Sequence, residues 1–394
     1  MIPKLRPNPF SYASMRYRDG EPVELRVWSV TRSRGALTRN FAKGGRADFH
    51  DICDIVMRGE AHERSDGPLS LGDFVVLAAL GLWAAEPDLI EPIFIEAPIR
   101  SAAASGPEPS PGDEFALRGE VWLQQGTGPS PAIPEAPLSC LSPARPILWH
   151  RGSPFEAPLP WWPDASSLAV IEAVRRGAPV QPQLWPSLGA LVDRGILNHP
   201  TDLPIEEAER RNVLEAGRTS LAHDGFANLG QVLPPGQLAA FQSYWRELAR
   251  LEVLPERGGK RRGSHGEPSS MLLLHLLKPL VEHLVGRAIE VAFSYSWLYQ
   301  RGTEMPAHRD RPESTYTVSL LLDYLPAPDG PAPWPLVVHP RGHGSPVEIH
   351  QAVGDALLFC GEELEHSRPP FVMGERSISL LLHYVDRNFP GKLF

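Results

Sequence analysis

Residues 291–325 read VAFSYSWLYQRGTEMPAHRDRPESTYTVSLLLDYL. Two runs rich in β-branched and aromatic residues, 291–300 and 315–325, flank a stretch punctuated by Gly302, Pro306 and Pro312, the pattern of short strands joined by turns. Runs of the same texture follow at close intervals: PWPLVVHP (333–340), VEIHQAV (347–353), DALLFC (355–360) and SISLLLHYVD (377–386). Short strands so spaced predict a sandwich or barrel. Before residue 290 the period is helical: 204–230, 234–254 and 271–290 carry apolar residues at helix spacing, with proline at the start of the second. Between them PERGGKRRGSHGEPSS (255–270), basic and glycine-rich, reads as a solvated loop or a lid. The predicted class is α+β, with helices packed on a C-terminal barrel behind an N-terminal α/β half.

The same opening stretch carries the candidate chemistry. Side chains two apart on a strand share a face, so in AHRD His308 and Asp310 point one way and Arg309 the other. Alone, this pair reads equally well as a charged strand end. Further on, EELEHSRPPF supplies His366, and GERSISLLLHY opens the last strand with Arg376. Two histidines and a carboxylate on one side of a metal, with other positions open, form the facial triad of non-haem Fe(II) oxygenases. A guanidinium beside them can clamp a carboxylate in a two-pronged geometry. His339, His343 and His350 form a rival cluster accompanied only by Glu348, and read as a turn and a strand. His275 and His283 sit on a helical apolar pattern and read as core or helix-face residues. Cys360 reads as a small buried hydrophobe. Arg309, Arg311 and Arg368 flank the proposed site, where they either steer an anionic substrate or decorate strand ends.

His308, Asp310, His366 and Arg376, in this order on successive strands, resemble the 2-oxoglutarate/Fe(II)-dependent dioxygenase superfamily over residues 206–394. The run 294–387 is similar to a bacterial, prolyl-hydroxylase-like branch of it. The resemblance implies a double-stranded β-helix (jelly-roll) with flanking helices, binding Fe(II), 2-oxoglutarate and O2. It implies that His308, Asp310 and His366 hold the metal and form the catalytic centre. It also implies that Arg376 binds the distal carboxylate of 2-oxoglutarate and that Tyr299, in LYQRG, contacts the co-substrate. The serine the family often places two residues after the arginine is here Ile378, flanked by Ser377 and Ser379.

The N-terminal half, 1–205, contains a Pro/Gly/Ser/Ala-rich, linker-like stretch at 101–147. On either side of it, 51–89 and 167–203 share a plan. Each predicts a helix ending at Arg-Gly (58–59, 176–177), a polar loop, Ser-Leu-Gly (70–72, 187–189), and a second helix ending near Gly81 or Gly195. A strand-like piece precedes each, VELRVWSV and RPILWHRG. The plan suggests duplicated helix-turn-helix-like modules, and the hairpin ending in LVDRGIL resembles winged-helix modules that bind leader peptides. This half therefore reads as a substrate-recognition or accessory domain beside the oxygenase domain at 206–394.

A net charge of −9 and a pI near 5.9 exclude a broad basic footprint for nucleic acid. Cys53, Cys140 and Cys360 form no CxxC and read as reduced thiols. The start lacks an apolar signal region, and FVVLAALGLWAA (74–85) is shorter than the roughly 20 residues a bilayer requires. A cytoplasmic enzyme with no membrane partner is expected. Its expected reaction is hydroxylation of a C–H bond on a peptide or protein side chain. The alternatives are a free amino acid or small natural product, with a structural or dimerising N-terminal half, or a non-catalytic binding protein on the same scaffold.

Overall fold

In a computed structural model the described residues are 5–18, 20–42, 48–62, 71–99, 114–125, 130, 132–133, 135–143, 145–198, 203–342, 344–391 and 393. The N-terminal half opens with an antiparallel sheet of β1 (Ser11–Arg18), β2 (Glu21–Thr31) and β3 (Gly35–Ala42). The alternation of β2 sends Leu25 and Val27 to one face, where they pack with Phe49, Ile52, Cys53 and Val56 of α1 (Phe49–His62) and Leu80 of α2 (Leu71–Leu80). Trp28 and Val30 take the other face and join the main core. The second stretch has the same order: a sheet of β4 (Glu120–Gln124), β5 (Ile147–Arg151) and β6 (Leu159–Trp161), then α3 (Ala165–Arg175) and α4 (Trp185–Asp193).

Several expected boundaries move. α3 stops where predicted, with Gly177 at φ +63°, but α1 runs through Arg58-Gly59 to His62. A helix tolerates an interior glycine at about 1 kcal/mol relative to alanine, so that signal is weak. α2 ends at Leu80 with Gly81 at φ +74°, and Trp83–Ala85 is a strand rather than a continuation of the helix. Ser70 of the Ser-Leu-Gly motif, and 101–113 within the linker-like stretch, lie outside the described residues.

The C-terminal half comprises α5 (Leu203–Asp224), β7 (Phe226–Gln231), α6 (Pro235–Arg250), β8 (Arg261–His265), α7 (Pro268–Val285), β9 (Ile289–Gln300), β10 (Met305–His308) and β11 (Tyr316–Leu325). It closes with β12 (Leu336–Val338), β13 (Val347–Ile349), β14 (Asp355–Phe359), β15 (His366–Arg368) and β16 (Arg376–Asp386). The strands form a six-stranded sheet, β7-β14-β11-β16-β9-β8, and a four-stranded sheet, β10-β15-β12-β13, antiparallel throughout. This is the double-sheet architecture expected of a jelly-roll. The segment 255–270, expected as a loop, instead contributes edge strand β8, because Arg261–His265 pairs residue for residue with Tyr295–Tyr299.

Strand β16 divides outside from inside. The Tyr384 hydroxyl donates to the Leu274 carbonyl of α7, 2.8 Å, so Tyr384 and the even-numbered residues before it face the helices. His383, Leu381, Ser379 and Ser377 face the opposite way, into the space between the sheets. Glu267 secures α7: fully buried, its carboxylate caps the helix by accepting from Ser269 N and Ser270 N, and also accepts from the Tyr244 hydroxyl at 2.6 Å.

The two halves share one core, which runs from Trp28 and Trp149 to Leu380 and Tyr384. Polar contacts follow the same seam. The Trp28 indole N–H donates to Ser264 Oγ at 3.0 Å, the Tyr12 hydroxyl to the Gly266 carbonyl at 2.8 Å, and Ala36 N to the Val253 carbonyl at 2.7 Å. Cys53, Cys140 and Cys360 are buried free thiols. Among the described residues no helix is long and apolar enough to cross a membrane.

His150 on β5 makes the fold sensitive to acid. Burial pulls its pKa down from 6.5 to about 4, outweighing the opposing hydrogen bond from its Nε2 to the Arg118 carbonyl. Between these values the unfolded imidazole is protonated and the folded one is not, so stability present above pH 6.5 is lost as the pH falls toward 4. Thermal melts of His150→Gln between pH 7.5 and 4.5 should show a shallower decline than wild type; an identical slope would exclude this histidine as a source.

Candidate metal centre

Strands β10 and β15 run antiparallel with His308 directly opposite His366. Opposed residues on neighbouring antiparallel strands point to one face, and here the two imidazoles lie 4.4 Å apart between ring centres. Asp310, just past the end of β10, is drawn toward them from two sides. Its backbone N–H donates to the Gly361 carbonyl at 2.9 Å, and its Oδ2 accepts from the Thr317 hydroxyl of β11 at 2.8 Å.

His308, Asp310 and His366 each offer one ligand atom, all within 4.8 Å of one another. Oδ1 of Asp310 is 3.9 Å from His308 Nε2 and 3.7 Å from His366 Nε2, too far for hydrogen bonds. Both separations are less than twice a nitrogen- or oxygen-to-metal bond of about 2.1 Å. Three polar atoms therefore converge without satisfying one another, and a divalent cation satisfies all three.

The histidines are oriented for that role. His308 Nδ1 lies 2.9 Å from the Pro306 carbonyl and His366 Nδ1 lies 3.0 Å from that of Leu364. A carbonyl only accepts, so each Nδ1 carries the proton and each Nε2 presents a lone pair. Burial is the largest influence on His366 and lowers its pKa against the pull of Asp310, favouring the neutral ring that binds metal. His366 is almost fully buried, and His308 is exposed on the open side. Arg309, just past the end of β10, lines an outer cleft with His339 and Glu363.

Arg376 does not join this group. It lies on the helix-facing row of β16, where its Nη2 donates to Oδ2 of the buried Asp323 at 3.1 Å. Arg246 of α6 holds the same carboxylate through both Nε and Nη2. The arginine of the interior is instead Arg368, two residues past His366 on β15 and on the same face. It is 5% exposed, and its guanidinium lies 4.7 Å above the Trp334 ring. Its Nη1 donates to the Trp334 carbonyl at 3.3 Å, and among the described residues no carboxylate lies within salt-bridge distance.

Tyr299 of β9 is buried beside Trp334, with ring centres 5.0 Å apart. Burial raises its pKa while Arg368 and Arg261 pull the other way. The inward hydroxyls of Ser319 and Ser379 are buried and have no partner among the described residues. Sequence reasoning missed Thr317, Gly361 and His383. His383 Nδ1 lies 3.1 Å from Thr317 Oγ1, which links it to Asp310. The available signal was parity: His383 shares a face with Ser377 and Ser379, and the family's arginine-plus-two serine is absent from the other row. In the rival cluster, His343 lies outside the described residues, His339 sits 3.7 Å from Glu365, and His350 sits 3.6 Å from Glu348, all at the surface.

No protein-family model matches the chain, and no curated protein does. Solved structures do. A prolyl-4-hydroxylase from Pseudomonas putida is 18% identical over 44% of this chain and 99% of that one, with a TM-score of 0.37. An oxidoreductase of the 2OG-Fe(II) oxygenase family from Burkholderia pseudomallei is 17% identical over 45% and 91%, with a TM-score of 0.36. HygX from Streptomyces hygroscopicus, solved with nickel, 2-oxoglutarate and hygromycin B bound, is 13% identical over 45% and 95%, with a TM-score of 0.35. Likenesses this distant carry no argument for function, which rests on the site itself.

Gly361 offers a test of the centre. A Cβ there would lie 2.6 Å from Thr317 Oγ1 and closer still to Asp310 Oδ2. Gly361→Ala should displace the carboxylate and weaken Co(II) binding, followed by absorbance titration, by about 10–100-fold, the usual effect of disturbing a ligand's support. Unchanged affinity would show that Asp310 is not a ligand.

Proposed function

We propose that the chain is an Fe(II)- and 2-oxoglutarate-dependent oxygenase that hydroxylates a C–H bond, on a peptide or protein side chain. The observation that carries this reading is the convergence of His308, Asp310 and His366 on one point, with Arg368 buried and without an acid on the same face of β15. When bound, the metal supplies the oxidative decarboxylation of 2-oxoglutarate to succinate and carbon dioxide, coupled to insertion of one oxygen atom of O2 into the substrate C–H bond.

The protein's part is placement. His308, Asp310 and His366 would hold the iron from one side and leave the remaining positions free. Arg368 would take the far carboxylate of 2-oxoglutarate, two strand residues or roughly 7 Å along β15 from His366. The Trp334 ring packs against the guanidinium, while Tyr299 lies beside Trp334 at that end of the interior. The unpartnered hydroxyls of Ser319 and Ser379 fit the polar groups of such a co-substrate. Aromatic rings along β9 keep water out: Tyr295 and Trp297 are stacked 5.4 Å apart, and Trp297 lies 6.3 Å from Tyr299. No side chain is required as a general acid or base.

Residues 1–205 support the polypeptide substrate through their two sheet-and-helix-pair stretches, which we read as a duplicated recognition module. They share their core with the oxygenase half, so their role is best tested in the whole chain.

Reassignment of the co-substrate arginine gives a paired test. Anaerobic 2-oxoglutarate binding to the Fe(II)-loaded protein should weaken about 10–100-fold in Arg368→Gln, as expected for losing a charged two-pronged contact worth roughly 1.5–3 kcal/mol. Arg376→Gln should lower the melting temperature by removing one partner of buried Asp323, with little change in affinity. The opposite pattern would restore Arg376 as the clamp.

A further inference from the structure

A cleft of about 240 Å³ opens where the N-terminal sheet meets the mouth of the barrel. Thr38 and Asn40, on one face of β3, form one wall; Phe293 and Tyr295 of β9, with His265 of β8, form the other. The Thr38 hydroxyl ties the walls together by donating to the His265 carbonyl at 2.5 Å.

This cleft lies one layer of rings from the metal centre. Phe293 stacks on His265 at 5.3 Å and on His383 at 4.4 Å. His383 meets Thr317, whose hydroxyl donates to Asp310. Arg311, which lines the cleft, is the residue after Asp310 in the chain.

Its charge runs opposite to that of the whole protein. Arg257 and Arg311 line it, and neither has an ion-pair partner among the described residues. Behind them Arg26 of β2, directly opposite Asn40 across the sheet, is 7% exposed. Its Nη1 donates to the Met271 sulfur at 3.1 Å, and among the described residues its buried Nε has no partner. Burial is the main cause holding the His265 pKa down at about 3, but Arg26, Arg257 and Arg311 all push in the same direction, so their positive charge converges on this ring. Glu313 is the single acid in the lining, in a chain whose net charge is −9. Three guanidinium groups, one of them buried, gather here against Glu313 in the lining and Glu24 beside Arg26, and an anion from outside would stabilise them.

We propose that the cleft holds an anionic group of the substrate, a carboxylate or phosphate gripped by Arg257 and Arg311 with Arg26 behind them, while an adjoining C–H bond is presented to the metal. This rests on the oxygenase reading above and gives the N-terminal sheet a direct part in substrate binding. The anion belongs either to an acidic stretch of polypeptide or to a small molecule.

The experiment uses the full chain with Fe(II) and 2-oxoglutarate under anaerobic conditions, so that Arg368 is already occupied. Calorimetric titrations compare a capped tri-glutamate peptide, its tri-glutamine counterpart and inorganic phosphate, in wild type and in the Arg257→Gln/Arg311→Gln double variant. The expected result is binding of tri-glutamate at least tenfold tighter than tri-glutamine, with that preference lost in the double variant. Phosphate binding that the double variant abolishes, without a peptide preference, supports the anion cleft with a small-molecule source. Absence of binding by both anions, or binding unaltered in the double variant, overturns the proposal. A melt of the double variant checks its folding. The visible absorption band of the Fe(II)–2-oxoglutarate complex, read in the same samples, separates the two ideas. If the band is missing in wild type, the oxygenase reading fails, and the cleft is judged by anion binding alone.

Discussion

The direct opposition of His308 and His366 across β10 and β15 is the constraint on which the rest of the site depends. A slip of one residue in that pairing would turn one imidazole to the other face and leave no pair to share a metal. The register is reinforced from behind, because β15 also pairs with β12 through Val338 and His366. Asp310 then needs only a short turn to reach the same point, and the carbonyl and missing side chain of Gly361 leave room for it. The candidate centre is thus built from the register of two strands and one tight backbone approach just beyond them, which would hold its three residues in place before any metal arrives.

The second physical theme is positive charge held without a negative partner. Asp323 pairs with both Arg376 and Arg246 on the helix side of the barrel, one carboxylate between two guanidinium groups. Among the described residues neither Arg368 in the interior nor Arg26 beneath the mouth makes an ion pair, although Glu24 lies near enough to Arg26 to feel its charge, and desolvating a guanidinium is costly. The proposed co-substrate beside the metal centre and the proposed anionic substrate group at the entrance would each bring a counter-charge to one of these arginines. The low apparent basicity of His265 and His383, both governed first by burial, keeps the rings between those sites neutral near pH 7. They then act as packing surfaces and hydrogen-bonding partners rather than as further charges.

Much of this was legible in the sequence because it depends on period. The change from helical spacing to short strands near residue 290 marked the barrel, and the two-residue parity of AHRD separated His308 and Asp310 from Arg309. What escaped reading was also a matter of parity. Arg376 is one residue out of phase with His383, and which row of β16 faces inward is decided by Tyr384 reaching α7, a contact remote in the chain. Arg368 was visible only as a flanking charge, since its significance lies in burial without an acid. The strand within 255–270 was hidden by its glycines and basic residues, because pairing with β9 rather than local preference makes it extended. In the N-terminal half Gly59 signalled a helix end that α1 does not observe, whereas Gly177 signalled one that α3 does.

The most direct test of the account is turnover at the centre itself. Full-length protein loaded anaerobically with Fe(II) and 2-oxoglutarate is exposed to O2, and succinate is quantified alongside His308→Ala and His366→Ala. Succinate is expected from wild type and none above background from either variant. Equal succinate from all three, or none from wild type carrying bound iron and 2-oxoglutarate, would contradict it.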